Sequence, residues 1–184
     1  MAVLDSEIKN YLTGAASDGG VQTDPNAALG NYRSATEVVD AVLENLFDNV
    51  SDAERVAGDI EYRCYCIKNT NGSDSITAPK IWIETDTGDS DDDVSFAVEV
   101  PTGGDTDGNA QTIANESTAP TVGSGNVSAW SDATSKGTGL GVDQGAHDAN
   151  LDAGEIIFVW VRRNIAAGAS PATHSVIIKL EGDL

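Results

Sequence analysis

A chain of 184 residues is long enough for one well-buried core and short for two, since domains commonly run to about 100–200 residues. Hydrophobic residues make up 40% and aromatics only 5%, so the core has to be built from Val, Ile, Leu and Ala around a few large anchors: Trp82, Phe96, Trp130, Phe158 and Trp160. A formal net charge of −20 repels phosphate backbones, so nucleic acid is not an expected partner, and no run of about 18 apolar residues suggests a membrane span.

Residues 1–33 carry scattered apolar positions broken by the turn signals GA, DGG, DPN and LGN. They read as an extended N-terminal arm, ordered by contacts with another chain through Val3, Leu4, Ile8, Tyr11 and Leu12. Residues 34–184 are expected to form a single domain. The segment SATEVVDAVLENLF places Val38, Val39, Val42, Leu43 and Leu46 at helical spacing behind a capping box of Ser34 and Glu37, although its Val content leaves a strand as the competing reading. Ser51 and Glu54 repeat the capping-box spacing and Gly58 is a stop, which predicts one or two helical turns.

From Ile60 the period changes to two. IEYRCYCIKN sets Ile60, Tyr62, Cys64 and Cys66 against Glu61, Arg63, Tyr65 and Ile67. KIWIE, VSFAVEV and SVIIKLE alternate in the same way, and EIIFVWVRR is apolar on both faces, as expected of a strand buried on two sides. Five strands joined by Gly, Asp, Ser and Thr loops predict a mainly β fold, an antiparallel β-sandwich of jelly-roll-like or Ig-like kind with one or two short helices. The polar stretch 102–153 is too long for a structureless loop, so it should hide one or two short strands or form an exposed excursion.

Chemistry-bearing motifs are sparse. There are two histidines, His147 and His174, and no nucleophile elbow, phosphate-binding loop or zinc-protease motif, so an enzyme is not expected. GTGLG at Gly137–Gly141 reads as a flexible turn, and DSDDD at Asp89–Asp93 as a solvated acidic loop. DTDGNAQTIANE places Asp105, Asp107, Asn109 and Glu116 at positions 1, 3, 5 and 12 of a calcium-loop pattern, a weak match because Ala110 stands where glycine should make the turn. No other cofactor is implied. Cys64 and Cys66 lie on the same side of one strand, which disfavours a disulfide and suits core-filling thiols. The N-x-S sequons at Asn49, Asn71, Asn115 and Asn126 mark accessible loops. Arg162 and Arg163 end the most apolar strand and point to opposite faces, where each would cap one face, either by pairing with carboxylates of its own chain or, for at least one of them, by anchoring a neighbouring acidic subunit.

Three patterns carry a resemblance: GD-x-EYR-x-x-x-x-KN at Gly58–Asn69, I-A-N-E-x-T-A-P at Ile113–Pro120, and WVRR at Trp160–Arg163. With the order of the segments around them, they make nearly the whole chain resemble small virion structural proteins of tailed phages and tailed archaeal viruses. The resemblance implies a non-enzymatic component of the virion and leaves its place on the particle open; the first reading is a capsid surface decoration that contacts other virion proteins as a homo-oligomer on the particle. A tail or baseplate accessory protein is the alternative place on the particle. A calcium-assisted carbohydrate-binding module, built on Trp82, Trp130 and Asp105–Glu116, is the alternative from another class. The acid excess departs from the group and fits a saline, halophilic setting, because the Debye length falls to about 3 Å at molar salt.

Overall fold

The period-two segments of the sequence are strands. The computed structural model describes residues 3–87, 91–123, 125–145, 147–169 and 174–183. In chain order its elements are β1 (Ile8–Ala15), β2 (Gly30–Glu37), α1 (Asp52–Ala57), β3 (Asp59–Asn69), β4 (Thr77–Asp86), β5 (Asp92–Glu99), β6 (Asn109–Thr112), β7 (Leu140–Gly141), β8 (Ile156–Ile165) and β9 (Val176–Asp183). They form a six-stranded sheet in the order β5-β8-β3-β1-β2-β6 and a three-stranded sheet in the order β7-β4-β9, with every strand pairing antiparallel. This is the mainly β, sandwich-like architecture the alternation implied.

β8 is the axis of the molecule. It pairs with β3 from Asp59↔Ile165 to Lys68↔Ile156 and with β5 on its other edge. Ile157, Val159 and Val161 face the second sheet and meet Ile81 and Ile83 of β4, with Phe96 and Val98 of β5 beside them. Ile156, Phe158 and Trp160 face the other way, into a second core made with Tyr62, Cys64, Cys66, Ala110, Ile113 and Val127. The six-stranded sheet is curled, and β6 with the segment after it folds over this inner face. Both faces of β8 are therefore dry from Ile156 to Val161, which is why that part of its sequence is an unbroken apolar run. Replacing a fully buried ring such as Phe158 by Ala would cost about 3–5 kcal/mol.

Two sequence expectations are corrected. The arm expected over residues 1–33 is not free where it is described, from residue 3 onward, because β1 lies in the interior of the larger sheet between β2 and β3. Leu12, Thr13 and Ala15 are buried, Ile8 packs at the margin of the inter-sheet core and Tyr11 against the second core. Of the five residues expected to bind another chain, Leu4 stays exposed, and Val3 is partly buried. The alternation of β1 is hidden by register shifts on either side of Thr13 and by Gly14, whose φ of 95° favours glycine and where a Cβ would lie 2.2 Å from the Ala27 carbonyl oxygen. Thr13 occupies a core position because its hydroxyl is fully used, donating to the Cys64 carbonyl at 2.7 Å and accepting from the Gly30 amide at 3.2 Å.

Of the two readings of Ser34–Phe47, the helix is absent and the strand holds only as far as Glu37. Residues up to Glu37 belong to β2, and Ser34 is buried with its hydroxyl accepting from the Thr36 amide, so it cannot cap a helix. The chain then turns through left-handed Ala41 and Glu44. The second capping box is realised: Ser51 and Glu54 bond each other's amides at the start of α1, and Gly58 ends it with its amide on the Glu54 carbonyl at 2.7 Å. Within 102–153 the hidden strands are β6, which extends the large sheet beyond β2, and β7, which pairs with β4.

Candidate functional site

On β3 the inward face that carries Tyr65 and Ile67 also carries Glu61 and Arg63, and both charged side chains are buried. Burying them requires partners. Arg63 donates to Glu116 at 2.5 Å, to the Asn26 side chain at 3.1 Å and to the Tyr62 carbonyl at 3.2 Å. Arg163, on the paired strand β8 directly across from Glu61, holds the Glu61 carboxylate through Nε at 2.7 Å and through Nη2. Asp48 lies 3.8 Å from both guanidinium groups. Burial pushes the Glu61 carboxyl above the usual range, and Arg163 works against that rise.

These charges also hold a loop. Both guanidinium groups lie over the Phe47 ring, Arg63 at 5.5 Å and Arg163 at 4.7 Å from its centre. Arg163 donates to the Asp48 carbonyl at 3.0 Å, and Leu46 and Phe47 pack on the inter-sheet core. At the loop's other end Val38 packs on the same core and its amide bonds the Asn10 carbonyl at 2.9 Å. Pinned at both ends, the loop lifts Val39, Val42 and Leu43 into solvent at 56%, 52% and 79% exposure, with Asp40 and Glu44 exposed beside them. Single exposed apolar residues are ordinary, but three within five positions on a strongly acidic surface form a small apolar tip.

Three sequence patterns meet here. Glu61 and Arg63 come from the first, Glu116 from the second and Arg163 from the third, and the Tyr62 amide also bonds the Glu116 carbonyl at 2.8 Å. Sequence reading isolated Arg163 but missed Glu61, Arg63, Phe47 and Asp48. The available signal was the pair of charges at core-facing positions of a clear strand.

The two arginines do point to opposite faces. Arg162 stacks over Trp130, 5.2 Å from the ring centre, and Trp130 in turn tilts against Tyr62 at 5.7 Å. The calcium set is not brought together. Glu116 is taken by Arg63, while Asp107 and Asn109 line an open depression of about 390 Å³ with Asp18 and Tyr32. Asp105 lies instead beside His147 and Glu155. Trp82 is buried with Lys179 5.6 Å above its ring, so both tryptophans of the carbohydrate reading are engaged within the chain. Cys64 and Cys66 are buried free thiols whose pKa values burial raises far above the ordinary thiol range. Of the acidic DSDDD segment, Asp89 and Ser90 lie outside the described residues. Among the described residues no helix is long and apolar enough to cross a membrane. No protein family, curated protein or solved structure matches the chain.

Proposed function

We propose that this chain is a non-enzymatic structural component of a tailed-virus particle, placed on the capsid surface as a decoration protein. One observation carries the reading: the residues behind the resemblance, far apart in sequence, converge on a single ion cluster whose effect is to present the apolar tip Val39–Leu43. A buried, multiply bonded cluster is an expensive way to fix a loop unless the loop has a surface to meet. The partner is a neighbouring virion protein, reached through apolar contact, since copies carrying a charge of −20 repel one another through most of their surface. A saline host would reduce that repulsion.

The experiment is attachment to particles lacking the protein. A Val42→Ser/Leu43→Ser variant changes exposed side chains, so its stability should stay within about 0.5 kcal/mol of the parent. Its attachment should be lost. Unchanged attachment, with the fold intact, rejects the loop as the contact. Copy number on native particles separates locations: many copies over the shell fit decoration, whereas a single ring of copies would place the protein in the tail or baseplate.

A further inference from the structure

The geometry points to a binding site for one divalent transition-metal ion of the zinc type, formed by Asp105, His147 and Glu155. Asp105 stands in the turn after β5, His147 in the loop between β7 and β8, and Glu155 immediately before β8. One donor atom from each lies within 4.8 Å of the other two.

The decisive group is His147. Its side chain is only 2% exposed, and its Nδ1 lies 2.8 Å from the Asp148 carbonyl oxygen. A carbonyl only accepts, so Nδ1 carries the hydrogen and the neutral ring presents a bare lone pair on Nε2. That Nε2 is buried, has no hydrogen-bond partner, and lies 3.8 Å from Glu155 Oε2. An orphaned buried nitrogen is unfavourable in a metal-free protein. An imidazole fixed through one nitrogen by a backbone carbonyl, with the other aimed at carboxylates, is the arrangement by which histidine holds a metal.

The other clusters fail the same comparison. His174 has both ring nitrogens engaged, by Asp86 at 2.5 Å and Asp92 at 2.7 Å, and so offers no lone pair. Asp48, Glu61 and Glu116 also converge, but the guanidinium groups of Arg63 and Arg163 already supply the positive charge there.

One imidazole nitrogen and two carboxylate oxygens favour zinc and its first-row neighbours over calcium or magnesium, which prefer oxygen alone. Tetrahedral coordination at about 2.1 Å separates ligand atoms by about 3.4 Å, so the side chains need to close by only a small amount, with a fourth position left for water. Backbone bonds hold the frame. The Ile156 amide donates to the Asp105 carbonyl at 2.8 Å, and the Asp152 amide to Glu155 Oε2 at 2.6 Å. The ion would tie both ends of the polar 102–153 region to the residue that leads into β8, a structural staple across a long loop. This inference stands apart from the proposed role on a particle.

The test uses the chelator-stripped chain at high KCl with magnesium in excess, so that diffuse binding to surface carboxylates is suppressed. Zn²⁺ should bind one per chain and raise Tm, whereas Ca²⁺ should not. His147→Gln should weaken zinc affinity at least about tenfold, Asp105→Asn should weaken it too, and His174→Gln should leave it unchanged. Absence of zinc binding, an equal response to Ca²⁺, or full affinity in folded His147→Gln overturns the site. Should that variant fail to fold, X-ray absorption of the zinc-loaded parent decides: imidazole scattering supports the assignment, and an all-oxygen shell overturns it.

Discussion

The indole N–H of Trp160 donates to the Glu99 carboxylate at 2.6 Å, with both side chains buried. The other carboxylate oxygen accepts from the Gln111 amide at 2.8 Å, so one charged group joins β8, β5 and β6 and closes the curl of the larger sheet. Burial pushes the Glu99 carboxyl above the ordinary range while both bonds oppose that shift. Glu99→Leu strands two donors and should cost about 2–4 kcal/mol in urea unfolding. Glu99→Gln should cost less, since its amide oxygen retains one donor and no charge remains buried. Equal losses would show that the shape and single acceptor retained by Gln contribute nothing and that both carboxylate oxygens are needed.

Arg162 and Arg163 should separate in the same assay. Arg163→Gln leaves Glu61 buried without its guanidinium and frees Phe47 and Asp48, which should cost about 3–5 kcal/mol. Arg162→Gln loses chiefly the stacking on Trp130, worth about 0.5–1 kcal/mol. The double variant Arg163→Gln/Glu61→Gln should recover part of the loss. Similar costs for the two single variants would place the ion cluster outside the stabilising framework.

His174 predicts a pH dependence. Its two nitrogens join Asp92 at the start of β5 to Asp86 at the end of β4, and hydrogen bonding to Asp92, then to Asp86, raises its pKa above the ordinary 6.5. A neutral imidazole has one N–H and can serve only one of these carboxylates as donor. A raised folded-state pKa therefore gives stability that is fully present below about pH 6.5 and lost as pH rises through the folded value. Tm should fall across that interval, and His174→Gln should flatten the fall. A variant that tracks the parent at every pH assigns the dependence to another group.

How far the sequence showed this structure depended on whether side-chain pattern reported directly on burial. β3, β4, β5 and β9 alternate, β8 is a short apolar run buried on both faces, and each was visible. β1 was not, because register shifts and Gly14 break its period and its core position is filled by Thr13, whose suitability depends on Cys64 and Gly30 far along the chain. The apolar spacing of Val38–Leu46 resembled a helix, yet Val38 and Leu46 serve the core while Val39, Val42 and Leu43 do not, a division made by Phe47 and its two arginines. The candidate site was the least legible part. Its members come from β3, β8 and two loops, and charge pairing across such distances leaves no local period to read.

Salt should stabilise the chain. Thirty acidic side chains against ten basic ones repel one another over distances that screening shortens, from a Debye length of about 10 Å at 0.1 M to about 3 Å at 1 M. Salt also weakens exposed ion pairs such as Lys9–Glu37 at 3.5 Å and Lys179–Glu84 at 2.8 Å, but each of these contributes only about 0–1 kcal/mol. The pairs made by Arg63 and Glu61 are buried and feel added ions much less. Relief of repulsion should therefore win, and Tm should climb from millimolar to molar KCl with chelator present throughout to hold any metal contribution at zero. A Tm that stays flat or falls would mean that the charge excess is spread too thinly to oppose folding, and it would remove the support that composition lends to a saline setting.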